Sequence, residues 1–319
     1  MIVPLVSVCM QTWNSERFIA EAIESVLGQD FEDLELIIVD GASTDATRQI
    51  IERYAKQDPR IRVIYHEHNL GISRAANDGI EAAKGRFIAQ IDSDDVWVSD
   101  KLTKQLAVLE RDEDLIVWSE GEIIDAAGRS IGKSFSERLA NNVYVSAKAK
   151  KSGNLWQELL PSNYIFHSTI IYKKQNLGDV RYDEGILVIN DFKFFLELAR
   201  QYHFYYIAEP LAKYRIHGDN TLASSGPEAL KRRQISDKEY ISIVEDAMRQ
   251  YDDEITRETR AVVYGHIGLL HYLAGETKKG RRFFLRAFMC NPFEKRNLWY
   301  LQLAFKRMLR AVSSHREEA

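Results

Sequence analysis

Three carboxylates, Asp92, Asp94 and Asp95, stand almost side by side in "RFIAQIDSDDVW", with only Ser93 between the first and the others. Acids this close repel one another, and burying them unpaired is costly. Two settings make the arrangement favourable: a solvated surface loop, or a bound cation. A hard divalent cation such as Mg²⁺ takes oxygen ligands and binds through one or two carboxylates plus substrate phosphates. An Asp-x-Asp spacing at a strand end puts Asp92 and Asp94 in one turn, able to reach a shared ligand. The plainer reading is a polar turn in which Asp95 or Ser99 helps the next helix. A further acid, Asp40, ends the apolar run "LELIIVD" in the same manner.

The elements that must position these acids alternate in period over the first 120 residues. "LVSVCMQT" is strand-like, and Phe18, Ile19, Ala22, Ile23, Val26 and Leu27 then recur at helical spacing behind Asn14 and Ser15, which could cap. "LELIIVD" is a second strand, followed by "GASTD" and a helix through Ile50, Ile51 and Tyr54, with Ser43 or Thr44 as its cap. "IRVIYHE" is a third strand, "SRAANDGIEAAKG" a helix stopped by Gly85, and "RFIAQID" a fourth strand. A helix from Ser99 through Leu102, Leu106 and Leu109 precedes the strand "LIVWSE". Uniformly apolar strands alternating with helices specify an α/β fold, with a mostly parallel sheet sandwiched by helices. Ligands of such sheets bind beyond the carboxyl ends of the strands. Asp40 and Asp92 both end apolar runs, so they share one rim although far apart in sequence.

The later chain is more varied. Residues 121–163 read as loops or a hairpin, and "YIFHSTIIYKK" as a further strand. "DFKFFLELARQY" reads as a helix with Phe194, Phe195 and Leu198 inward, and "FYYIAEPLAKYRIH" as a strand broken at Pro210. From Pro227 the pattern is helical, with a helical hairpin turning at Gly275–Glu276 and a last helix over 296–310. The expected domains are 1–225, in halves of about 1–120 and 121–225, and a helical extension, 226–319.

The composition, 45% hydrophobic and 28% charged over 319 residues, is ordinary for a globular chain. No run reaches the roughly 18 apolar residues of a membrane span, and "MIVPLVSVCM" reads as a strand rather than a signal peptide. Cys9 and Cys290 form no metal-type spacing, which fits a reducing cytoplasm. The net charge of −4 hides an asymmetry: Lys278 to Arg310 holds ten Lys/Arg against one acid, Glu294, while residues 1–277 carry −12. Nucleic-acid binding is disfavoured, because the body is acidic and the tail's aromatics fall at helical core spacing. In the last helix, Leu298, Leu301, Phe305, Met308 and Leu309 share a face, with Arg296, Lys306, Arg307 and Arg310 largely opposite. That helix either packs on the protein with a solvated basic face or docks on an anionic membrane.

"IIVDGASTDAT", "NLGISRAANDGIEAAKG" and "AQIDSDDVW" occur in this order within one α/β unit, and together they resemble the family 2 glycosyltransferases. The resemblance covers residues 5 to about 220, and Asp191 at the head of an apolar helix and "YRIH" ending in His217 agree with it. It implies a GT-A fold and inverting transfer of a sugar from a nucleotide diphosphate sugar, with Mg²⁺ or Mn²⁺ as cofactor. Asp40 would accept the N3–H of a uracil or thymine ring, which favours UDP- or dTDP-sugars over GDP-sugars. Thr12 and Asn14 would line the same base pocket, or cap the next helix. Arg74 would brace the base or phosphate, or be a solvated helix charge. Asp92 would face the ribose or metal side, Asp94 would bind the metal, and His217 would contact the metal or diphosphate, or be structural. Asp191 is the candidate general base, worth about 10²–10⁴ in rate. The family pattern has Glu-Asp there and this chain Asn190–Asp191, so Asp183 and Glu184, with Asp95 at the metal, stand as second choices. Asp191 could also be an N-cap.

The resemblance further implies a glycan or lipid-linked glycan acceptor, a role in bacterial surface polysaccharide synthesis, and a place in the cytoplasm or at the inner face of its membrane. The alternative is a catalytically inactive nucleotide-sugar-binding or scaffolding protein on the same fold.

Overall fold

A computed structural model describes residues 3–139, 151–218, 220, 227–300 and 302. The chain divides into two compact units, residues 1–156 with 164–236, and residues 157–163 with 237–319. The first unit opens with β1 (Val6–Thr12), α1 (Ile19–Leu27), β2 (Leu34–Asp40), α2 (Thr47–Gln57), β3 (Ile61–Tyr65), α3 (Ile72–Ala82) and β4 (Phe87–Asp92). There follow β5 (Val96–Trp97), α4 (Lys101–Leu109), β6 (Ile116–Ile124), β7 (Ser130–Ser134), α5 (Phe135–Leu139), α6 (Trp156–Leu159, of which only Trp156 belongs to this unit), β8 (Ile171–Lys173), α7 (Asn190–Gln201) and β9 (Phe204–Arg215).

Among the described residues, nine strands form one sheet in the order β3-β2-β1-β4-β8-β6-β9-β5, with β7 paired to β6. β1 to β4 are parallel, β8 runs against β4 and β6, and β9 runs parallel to β6. Every residue of β1 and β2 is buried, as a sheet covered on both faces requires. α1 buries Ile19, Ala22, Ile23 and Val26, one stripe at helical spacing. Full burial of side chains such as Ile23 is worth about 1.5–3 kcal/mol each, and Ile23→Ala would cost about 2–5 kcal/mol.

Several local expectations are corrected. The N-caps of α1 and α2 are Phe18 and Ala46, without side-chain capping bonds. At α1 the Ser15 carbonyl, not a side chain, accepts from the Phe18 and Ile19 amides. At α2 the Asp45 carboxylate takes the Thr47 amide at 3.0 Å, because Ser43 and Thr44 are engaged by Asn14. α3 ends at Ala82, and Gly85 serves a close approach instead: a Cβ there would lie 2.5 Å from the Ser7 nitrogen. Of "YIFHSTIIYKK" only Ile171–Lys173 is strand, since His167–Thr169 coil into a 3₁₀ turn. Pro210 does not break β9. It lies where the β6–β9 register slips, so the missing N–H is absorbed in a bulge.

The second unit contains most of α8 (Pro227–Gln250), then α9 (Arg257–Leu273) and α10 (Thr277–Cys290). α9 and α10 form the expected hairpin, turning through Gly275 at φ +84°. They cross at a glycine pair: a Cβ on Gly280 would lie 2.8 Å from the Gly268 carbonyl. Most of the expected last helix, including Leu301, Phe305, Lys306, Arg307, Met308, Leu309 and Arg310, lies outside the described residues. Among the described residues, no helix is long and apolar enough to cross a membrane.

Candidate active site

Strand register builds the site. Thr12 lies beside Asp40, Asp40 beside Tyr65, and Gln11 beside Asp92, so one rim carries these five residues in a row. The loops leaving β1 and β2 are laced together on top. Asn14, at φ +51°, accepts the Thr44 amide at 2.8 Å on Oδ1, and its own amide donates to Ser43 Oγ at 2.9 Å. Ala42, at φ +63°, turns the second loop back so that the Ser43 amide reaches Asp40 Oδ1 at 3.2 Å. Thr12 Oγ1 is buried and finds no partner among the described residues.

Asp40 is wholly buried. Its Oδ2 accepts two bonds, each 3.2 Å, from Nε and Nη2 of Arg48 in the first turn of α2. The Arg48 guanidinium lies 4.5 Å over the Tyr65 ring. Arg74 pairs with Asp78 at 2.9 Å and reaches Glu184 at 3.7 Å. Asp78 in turn holds His66 Nε2 at 2.8 Å.

At the end of β4 the acids divide the space. Asp92 Oδ1 accepts Gln11 Nε2 at 2.8 Å and meets His167 Nδ1 at 3.0 Å. Asp94 Oδ2 meets His217 Nε2 at 2.9 Å, and the His217 ring packs 4.5 Å from Phe18. Asp95 is buried; it accepts Ser168 Oγ at 2.6 Å and the Arg215 amide at 3.0 Å. Burial, and then the charges of Asp94 and Asp92, push its carboxyl well above the ordinary range. Arg215, also buried, donates from Nε to the Asp94 carbonyl at 2.8 Å and so fixes the acidic turn.

His167 ties this cluster to α7. Its Nε2 meets the Tyr182 hydroxyl at 2.9 Å, and Tyr182 stacks on Phe194 of α7 with centroids 4.1 Å apart. Burial alone would lower the His167 pKa; the carboxylates of Asp92 and Asp191 outweigh it and raise it. Asp191 is not the N-cap of α7, which is Ile189; it lies in the first turn, where Oδ1 accepts the Phe192 amide at 2.8 Å. Burial raises the Asp191 carboxyl and the Asp92 charge adds to the rise, while His167 opposes it. Asp183 is tied to Lys193, whose hydrogen bond holds its carboxyl low, and Glu184 is exposed and accepts from Asn77 at 3.3 Å.

Thus the structure gathers Asp92, Asp94, Asp95, Asp191 and His217 around one end of the rim. Thr12, Asn14 and Asp40 lie at the other, and Asp183 is held in an ion pair. Arg48, His167 and Arg215 were not singled out from the sequence. Only Arg215, inside "YRIH", carried a signal that could have found it.

A curled, mostly parallel sheet with acids ending β2 and β4 defines a GT-A-type fold. The chain belongs to glycosyl transferase family 2, whose model matches residues 7–176. Among similar proteins is a Bacillus subtilis protein provisionally named teichuronic acid biosynthesis glycosyltransferase TuaG. It is 48% identical over 103 residues, which is 32% of this chain and 41% of that one. Staphylococcus aureus TarS 1–349, solved in complex with UDP, shares the fold with a TM-score of 0.55 at 19% identity, over 89% of this chain and 90% of that one. A Pyrobaculum calidifontis mannosyltransferase, solved with GDP-Man and Mn²⁺, has a TM-score of 0.53 at 16% identity, over 92% and 89%.

Proposed function

We propose that the protein is an inverting glycosyltransferase. It moves a sugar from a nucleotide diphosphate sugar to a hydroxyl of a glycan or lipid-linked glycan, in bacterial surface polysaccharide synthesis in the cytoplasm. The observation that carries this reading is the acid cluster at the end of β4, where Asp92 Oδ1 meets His167 Nδ1 at 3.0 Å and the Asp191 charge acts on the same imidazole. That supports Asp191 as a candidate base near the acids expected to face the donor.

Asp191 takes the proton of the acceptor hydroxyl as it attacks the anomeric carbon. Its raised pKa makes it a better proton acceptor than an ordinary aspartate. His167 holds Asp92 and answers the Asp191 charge. Asp94, with His217 2.9 Å away, supplies a hard oxygen that would suit Mn²⁺ or Mg²⁺, the imidazole being the less usual ligand for either. Among the described residues no three His, Cys, Asp or Glu side chains form a metal cage, so donor phosphates would complete the coordination. When bound, such a cation supplies charge neutralisation for the departing nucleoside diphosphate. Asp183 and Glu184 are poorer base candidates, the first held by Lys193 and the second exposed.

Calorimetric titration of UDP, dTDP and GDP, with and without Mn²⁺, tests this on the wild type and Asp94→Asn. Metal-dependent binding lost in the variant is the expected result. No binding of any nucleotide in the presence of metal would overturn the proposal and favour a scaffold.

A further inference from the structure

The rim carries the acids, and the opposite edge of the same sheet carries a basic cleft. Leu5, Asp33 and Arg86 directly precede β1, β2 and β4, and Lys173 ends the antiparallel β8, so all four lie at the amino ends of the parallel strands. β1 is seven residues long, which puts this edge about 20 Å from the acidic rim. The four residues line a cleft of about 840 Å³, a size usual for a small-ligand site.

The lining is basic, although residues 1–277 as a whole carry −12. Five cations, Lys84, Arg86, Lys173, Lys174 and Arg181, stand against two acids, Asp33 and Glu113. Glu113 is taken up by two of them: it pairs with Arg86, and with Lys173 at 2.8 Å. The other three have no carboxylate partner among the described residues. Lys174 Nζ donates to the Ala83 carbonyl, and Arg181 Nη1 to the Gly178 and Val180 carbonyls at 3.0 and 2.8 Å. Neutral carbonyls aim a cation without cancelling its charge. Lys84 is exposed, and only its backbone amide is bonded, to Ser7 and Glu35. The carboxyl end of α3, just before Lys84, offers about half a negative charge, and Asp33 one more, too little to offset three cations. Apolar groups share the wall: Val3 is 66% exposed, and Leu5 and Leu177 line the cleft with it.

We propose that this cleft binds a phosphate group through Lys84, Lys174 and Arg181, at a site separate from the catalytic rim. Clustered ammonium and guanidinium donors are the chemistry that takes a phosphate dianion, and the apolar wall suits one that carries a carbon chain. A soluble phosphate ester and an anionic lipid headgroup share that chemistry. The inference goes beyond the nucleotide-sugar reading and does not rest on it.

The test uses the full chain as wild type, as the cleft reversal Lys84→Glu/Arg181→Glu, and as a control of equal charge, Arg53→Glu/Lys56→Glu, at two exposed cations of α2. Calorimetry with inorganic diphosphate, in EDTA to keep metal from the rim, reads the soluble arm. Co-sedimentation with vesicles of phosphatidylcholine alone, and of equimolar phosphatidylcholine and phosphatidylglycerol, reads the lipid arm. In at least one arm wild type and control should bind, and the cleft reversal should weaken binding about tenfold or more, the scale of lost charge-assisted contacts. A response to diphosphate alone assigns the site to soluble phosphates, and phosphatidylglycerol-dependent retention alone assigns it to headgroups. Lys84→Gln removes one exposed amine without adding an acid and should weaken the same arm about threefold. It carries the test if the cleft reversal melts early. Binding in neither arm, or binding that the two reversals affect alike, would overturn the inference. UDP affinity with Mn²⁺ should stay within about threefold in the cleft reversal, the two sites being far apart, so failure here leaves the donor reading standing.

Discussion

Two strand ends on one rim handle carboxylates in opposite ways. At β2, Asp40 is sealed, both oxygens satisfied by an amide and a guanidinium. At β4, Asp92 and Asp94 keep 33% and 27% of their side-chain surface, and each has an imidazole partner. A sealed, fully bonded carboxylate holds other groups in place and must give up a partner before it can meet a ligand. A half-open one beside an imidazole can exchange partners when substrate or metal arrives. The difference separates a sealed acid from half-open ones, although Asp40 and Asp92 both end apolar strands in the sequence.

The largest expected effect lies at the half-open end. Asp191→Asn should lower donor turnover about 10²–10⁴-fold, the range for a lost general base. Nucleotide affinity, read by calorimetry, should stay within about threefold. The pH dependence follows from the raised Asp191 pKa. The base must be ionised, so wild-type turnover rises with pH through that value, and its acid limb lies above the ordinary aspartate pKa of about 3.9. Stability runs the other way. A raised native pKa favours the protonated form, so this contribution is fully present below the unfolded pKa and lost as pH rises through the native one. Asp191→Asn should remove the acid limb and flatten the stability slope over the same window.

Making one substitution at both strand ends probes the comparison directly. Asp40→Asn leaves the buried Ser43 amide or part of the Arg48 fork without its acceptor, and should cost about 1–3 kcal/mol in denaturant melts. Asp94→Asn, half-open and still able to accept from His217, should cost about 0.5 kcal/mol or less, while removing the Mn²⁺-dependent gain in nucleotide affinity. Equal stability losses at the two positions would erase the distinction.

The sheet and the shared rim were legible because both rest on local signals. Apolar runs ending in Asp40 and Asp92, with helical periodicity between them, suffice for a parallel sheet with both acids at its carboxyl edge. What the acids touch was not legible. Arg48 is a helix-surface arginine by pattern, and His167 sits in a run that reads as strand. Their partners are set by β1–β2 register and by the 3₁₀ turn before β8, tertiary features that no local period encodes. β5 is two residues long and exists through its pairing with β9, so periodicity could not reveal it. The same limit explains the capping errors: Ser43 and Asn14 have the right chemistry for caps, but the loops use that chemistry on each other.

His167 is the joint between the open acids and α7. His167→Phe keeps the ring volume but leaves the Tyr182 hydroxyl unpartnered and Asp92 with Gln11 alone on Oδ1. Turnover should fall about tenfold and stability by about 1–3 kcal/mol. Recovery of much of the turnover by His167→Gln would mark a positioning role. No loss in either variant would mean that Asp92 and Asp191 work independently of it.

The smallest effect belongs to the loop that seals Asp40. Ala42 holds a left-handed conformation at φ +63°, which costs a residue with a Cβ about 1–2 kcal/mol. Glycine would relieve that cost but gives back part of it in unfolded-state entropy, so Ala42→Gly should stabilise the protein by only about 0.5 kcal/mol. The alanine nevertheless narrows the conformations open to the loop whose Ser43 amide fixes Asp40, and through it Arg48. If that rigidity serves recognition, the glycine variant should melt higher yet bind UDP or GDP about threefold more weakly, since a looser pocket must be ordered on binding. A variant that gains stability with no loss of affinity would show that the sealed end holds its guanidinium without help from the loop. The contrast between the two strand ends would then rest on the Asp40–Arg48 pair alone.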